Sequence, residues 1–73
     1  MLKLKELDLH GLDYIWARKT VTTWSKKNTP PYKIITGNSN KMENIVREIL
    51  GKKYNISYES YHNLGALIVT RRK

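Results

Sequence analysis

Leu7 and Leu9 alternate with Asp8 and His10 in the stretch Leu-Asp-Leu-His-Gly at 7–11. A period of two belongs to a strand and sends the leucines to one face and the two titratable groups to the other. Residues 4–9 are therefore predicted to form a first strand. Gly11 ends it and Asp13 is a good N-cap, so a helix is predicted over 14–25. Tyr14, Ala17, Val21 and Trp24 recur at spacings of three and four and make its apolar stripe. Trp16 lies off that stripe and is either a flank packed on the sheet or an exposed ring, with packing expected because large aromatics are mostly buried. Arg18, Lys19, Lys26 and Lys27 fall on the outer face or in the last turn, where cations complement the helix dipole.

Asn28-Thr29-Pro30-Pro31 breaks the pattern, since a proline pair cannot continue a helix. A second strand is predicted over 32–36, ending at Gly37-Asn38-Ser39-Asn40. Asn40 with Glu43 has the form of a capping box, and Met42, Ile45, Val46, Ile49 and Leu50 supply the apolar face of a second helix closed by Gly51 as its C′ residue. Residues 55–61 alternate and 66–70 are rich in β-branched and aliphatic side chains, so both are predicted strands, joined by His62-Asn63-Leu64-Gly65 as a hairpin loop. Arg71-Arg72-Lys73 is a basic tail.

The order is β-α-β-α-β-β. Right-handed crossovers place both helices on one face of a four-stranded mixed sheet, an α/β two-layer (α+β) sandwich, and leave the other face open. The chain has 73 residues and is read as a single domain, 1–73. It contains no cysteine, which suits a reducing, cytoplasmic compartment. No apolar run approaches the ~20 residues of a membrane span, and Met-Leu-Lys-Leu-Lys-Glu lacks the apolar core of a signal peptide.

Fourteen Lys and Arg against six Asp and Glu leave a net charge of +8. A polyanion is the natural partner, although a basic surface also serves solubility alone; a lipid surface is disfavoured, because no helix sets a purely apolar face against a lysine-rich one. Asp8 and His10 have the composition of a general acid/base pair, or are two polar residues on the wet side of a strand. Gly37-Asn38-Ser39-Asn40 opens a helix directly after a strand, which is a ready anion site or an ordinary capped turn. Lys41 stands in the first turn, where a cation is disfavoured unless an anion binds there. His62 is a loop residue within possible reach of a substrate. Of Tyr58 and Tyr61, one is expected on the open face. Two histidines supply too few ligands for zinc, and no Walker-type loop is present.

Leu7-Asp8-Leu9-His10-Gly11, then a helix, a strand ending in Thr36-Gly37, a second helix and terminal Gly65-Ala66-Leu67-Ile68-Val69 together resemble the small MutS-related (Smr) domain over about residues 4–71. The family's second motif, TGxG, is matched by Thr36-Gly37-Asn38, with Ser39 where the last glycine belongs. The resemblance implies a fold similar to the C-terminal domain of a bacterial translation initiation factor, and endonuclease activity on DNA or RNA. It maps the family's Asp-x-His onto Asp8 and His10, and its loop onto Thr36, Gly37 and Asn38. Smr domains usually sit at the end of longer proteins, whose other domains choose the target.

The function expected is a small endonuclease that prefers RNA to DNA. His10 takes the 2′-hydroxyl proton, Asp8 orients His10, and Lys41 with the 37–40 amides stabilises the developing charge. Gly11, Thr36, Gly37, Asn38, Ser39, Asn40, Lys41 and Arg71 make up the expected substrate-binding set. RNA cleavage requires no cofactor on this scheme, whereas DNA cleavage calls for a divalent metal held partly by Asp8. The alternative is a non-catalytic, monomeric RNA- or DNA-binding module, on the ribosome for instance, that uses a basic open sheet face. A protein-interaction domain is the third possibility.

Overall fold

A computed structural model of the chain describes residues 4–60 and 63–72. Strand β1 (Lys5–Asp8) leads into helix α1 (Tyr14–Lys27), β2 (Tyr32–Ile35), α2 (Asn40–Leu50), β3 (Tyr54–Ser60) and β4 (Asn63–Arg71). The sheet order is β1-β2-β4-β3, with β1 and β2 parallel and β4 antiparallel to both of its neighbours. This is the predicted β-α-β-α-β-β mixed sheet with two helices. Among the described residues no helix is long and apolar enough to cross a membrane.

The pairing register separates two faces. Leu7, Ile34 and Leu67 share one row, and Tyr32, Val69 and Ile56 the next. Both rows pack under Ala17 and Val21 of α1 and Met42, Val46 and Leu50 of α2, with Leu9 fully buried just beyond β1. Each aliphatic side chain so buried contributes roughly 1.5–3 kcal/mol. The α2 stripe therefore forms as its period demands. Trp24 closes the core edge-on against Tyr32, ring centroids 4.6 Å apart.

Four local features differ from expectation. Trp16 is 60% exposed, because the α1 stripe that reaches the core is centred on Ala17 and Val21 and turns position 16 to the side. The N-cap of α2 is Ser39, whose hydroxyl accepts from Met42 N at 3.1 Å, so Asn40 is already helical and Glu43 lies one position past the capping box. Gly51 caps α2 at φ −66°, with its N–H donating to the Arg47 carbonyl, and no left-handed C′ residue is needed there. Asn63, Leu64 and Gly65 belong to β4 rather than to a loop, and the β3–β4 register is irregular between Tyr58 and Ser60. Tyr61 and His62, and any role for them, lie outside the described residues.

The open face carries Glu6, Asp8, Lys33 and Glu59 around a small apolar centre of Ile35, Ala66 and Ile68. Lys33 Nζ is 2.7 Å from Glu59 and 3.5 Å from Glu6. The open face is thus acid-rich, contrary to the basic face expected. Tyr58 turns to the helix side, where its hydroxyl donates to the Glu43 carboxylate of α2 at 2.9 Å.

Candidate functional site at the carboxyl ends of the parallel strands

β1 and β2 run side by side, so the turns that leave them emerge at the same end of the sheet. Leu9 N donates to Ile35 O at 2.8 Å and extends the pairing one step past β1, which carries His10 to the start of the Thr36-Gly37 turn. Gly37 adopts φ +71° and Asn38 φ +64°. A Cβ on Gly37 would lie 2.9 Å from His10 Cδ2, so the glycine lets the imidazole seat directly on the loop backbone. The two segments singled out in the sequence meet at this contact.

The loop is fastened from β4. Gly65 O accepts from Thr36 N (2.7 Å), Gly37 N (3.0 Å) and the Thr36 hydroxyl (3.2 Å). Thr36 is buried and serves this clamp, so it faces no ligand, and the Gly37 amide counted among the anion donors is already engaged. Asn38 rests on Gly65, where a Cβ would meet Asn38 N at 3.1 Å. The sequence offered one sign of this clamp, a single glycine directly before an aliphatic strand.

Asp8 Oδ1 accepts from the backbone N–H of His10 at 2.9 Å, which tightens the turn at residues 8–10. Among the described residues no hydrogen bond holds the His10 ring, so the expected orienting bond from Asp8 to the imidazole is replaced by one to the main chain. Asp8, His10, Gly11, Asn38 and Asn40 are all exposed at this end.

Lys41 sits with its ammonium 4.4 Å from the centroid of the Tyr14 ring, between the first turns of the two helices. Contact between residues 27 apart left no sequence signal. Both helices begin here, α1 capped by Asp13 and α2 by Ser39, so two positive dipole ends converge beside His10. The first-turn amides of Asn40 and Lys41 have no intrahelical acceptor, as first-turn geometry requires.

Arg71 is not part of this group. Ile35, next to Asp8, pairs with Ala66, and Arg71 lies five residues farther along β4, about 17 Å away at strand rise. It belongs to a basic end where Lys5, Lys26, Lys27, Lys52, Lys53 and Arg72 also fall, around a cleft of about 430 Å³ lined by Ser25, Lys26, Lys53 and Tyr54 among others. Two of these cations satisfy carboxyl-terminal groups of the helices, Lys5 on the Asn28 side chain and Arg72 on the Gly51 carbonyl.

Among the described residues no three His, Cys, Asp or Glu side chains gather as metal ligands. Comparison of the chain with protein-family models, curated proteins and solved structures gives no match.

Proposed function

We propose that the chain is a small Smr-like nucleic-acid module that cleaves RNA at the His10 end. The carrying observation is the seat of the His10 imidazole on Gly37, at the shared end of two parallel strands and beside the free first-turn amides of α2. Such an edge is where open α/β sheets hold their ligands.

Neutral His10 accepts the proton of a ribose 2′-hydroxyl. The 2′-oxygen then bonds to the adjacent phosphorus, and the bond from phosphorus to the 5′-oxygen breaks. The products are a 2′,3′-cyclic phosphate and a 5′-hydroxyl that takes its proton from water, and the hydroxide so formed removes the proton held on His10. The charge that builds on the phosphoryl oxygens meets the Asn40 and Lys41 amides and the Lys41 ammonium.

One observation favours a second reading, in which the chain binds RNA without cutting it. The Asp8 carboxylate serves the His10 main chain and leaves the ring tautomer unheld. The experiment is cleavage of an end-labelled single-stranded RNA by wild-type protein and His10→Ala, with and without EDTA. A 5′-hydroxyl product that survives EDTA and is absent with the variant supports the nuclease. Intact RNA with a salt-sensitive gel shift overturns cleavage and leaves the binding module.

A further inference from the structure

Helix α1 holds four cations and no acidic residue, and among the described residues only one of the four, Arg18, has a carboxylate partner, Glu48 at 3.0 Å. Its flank away from α2 shows Trp16, Lys19, Thr20, Thr23 and Lys27 along a shallow groove of about 350 Å³. Positions 16, 20, 23 and 27 follow the helical repeat and span about 16 Å. Trp16 is 60% exposed, with the Lys19 ammonium 5.4 Å from its ring centroid.

Leaving an indole in water forfeits burial energy that the core offers its other large residues, and this flank sets the Trp16 indole beside Lys19, Lys27 and two threonines, with Trp24 also lining the groove. Asp13, the nearest acid, is occupied in capping α1 through Trp16 N at 2.8 Å. The middle of the open sheet face, where Glu6 and Glu59 flank the one ammonium of Lys33, is less favourable to a polyanion. The unpaired lysines of α1 and of the basic end match a polyanion better than that face does.

We propose that this flank of α1 is a track for single-stranded nucleic acid, with Trp16 as the stacking platform for one base and Lys19 and Lys27 as its phosphate contacts. An aromatic ring beside spaced cations is the arrangement that holds unpaired bases, whose π-faces and backbone it meets together. The track begins in the first turn of α1, at the end of the fold where His10 lies, and ends with Lys27 at the basic end. The proposal rests on the nucleic-acid reading above and is independent of whether His10 cuts.

The test is fluorescence anisotropy of a labelled 12-nucleotide oligouridylate and of oligothymidylate, with wild-type protein, Trp16→Ala and the double variant Lys19→Gln/Lys27→Gln. All the track substitutions are on the exposed flank of the helix, and circular dichroism confirms folding. Trp16→Ala is expected to weaken binding about five- to a hundredfold, the range set by loss of one stacked base. The lysine variant is expected to flatten the slope of log K against log salt by about 1.4, two contacts at ~0.7 each. Wild-type binding that neither track variant changes overturns the track while sparing the nucleic-acid reading. Failure of wild type to bind either probe overturns both. Concentration-dependent self-association abolished by Trp16→Ala, with oligonucleotide binding unchanged, assigns the flank to a second copy of the chain and also overturns the proposal.

Discussion

The ring of His10 lies over Gly37, so close that a Cβ on the glycine would stand 2.9 Å from His10 Cδ2. Gly11 also has a positive φ, +83°, but faces open space. Gly11→Ala should therefore cost only the left-handed backbone term, about 1–2 kcal/mol. Gly37→Ala carries that term plus displacement of the imidazole, so its loss in urea unfolding should be the larger and the His10 ring resonances should shift. Equal losses with unmoved resonances would show that the contact holds nothing in place.

Ser39 and Asn40 compete in sequence for the N-cap of α2, and the hydroxyl of Ser39 wins by reaching Met42 N. Ser39→Ala should lower stability by about 1 kcal/mol. Asn40→Ala, at an exposed first-turn position, should stay within about 0.5 kcal/mol. Thermal melts of the two variants distinguish the caps, and the reverse order would restore Asn40.

Element order and core were legible because they depend on period: Leu7 and Leu9, the Ala17 and Val21 stripe, and Met42, Val46 and Leu50 all point where their spacing sends them. Legibility failed where tertiary contacts choose between equal local options. Ser and Asn are both good caps, and only the path of the Gly37-Asn38 turn decides between them. Trp16 was misplaced because a preference for burial says nothing of which flank a neighbouring element covers. Arg71 entered the site set on charge alone, and strand direction carries it to the far end. The role of Gly65 depends on β4 running beside β2, a pairing across some thirty residues that local pattern cannot show.

Tyr32 is fully buried and its hydroxyl has no hydrogen-bond partner among the described residues. Removing that hydroxyl leaves the ring packing against Trp24 intact, so Tyr32→Phe should be stabilising by about 1 kcal/mol, a rise of roughly 4–8 °C in Tm for a domain of this size. Burial, with a smaller push from Tyr54, raises the phenol to about 12. The folded state then holds its proton more tightly than the unfolded chain. Stability is full below pH ~10 and falls as pH rises through 12. The total drop from this group is about 2–3 kcal/mol. The phenylalanine variant should lack this part of the alkaline decline, and parallel decline of both proteins in pH-dependent melts would refute it.

Lys33 bridges Glu59 and Glu6 across the open face. Its hydrogen bond, with a lesser one from Asn63, holds Glu59 below the usual carboxylate range, and Glu59 in turn raises Lys33. A depressed carboxyl stabilises above its ordinary pKa, and that contribution fades as pH falls through the lowered value. A raised ammonium stabilises below its ordinary pKa and loses that contribution as pH climbs past the raised one. The Tm advantage of wild type over Glu59→Gln should accordingly be level from about pH 5 to 10 and vanish in acid. Added salt should shrink it, because the pair is partly exposed. An advantage that persists at pH 2 would mean that Glu59 acts through packing.

Asp8 presents two separable properties, an oxygen that accepts from His10 N at 2.9 Å and a negative charge beside an imidazole. Asparagine keeps the first and removes the second; alanine removes both. If Asp8 works through the turn, Asp8→Asn should fold and cleave RNA within a few-fold of wild type, while Asp8→Ala loosens the His10 seat and loses about 0.5–1.5 kcal/mol along with most of the cleavage rate. The geometry favours this outcome, because the hydrogen bond runs to the main chain and the ring is held by Gly37 instead. Equal loss in both variants, with the pH–rate profile shifted by Asp8→Asn, would move the role of Asp8 from the backbone to the charge on the imidazolium. The two substitutions thus decide whether the Asp-x-His spacing serves to shape a turn or to tune a base.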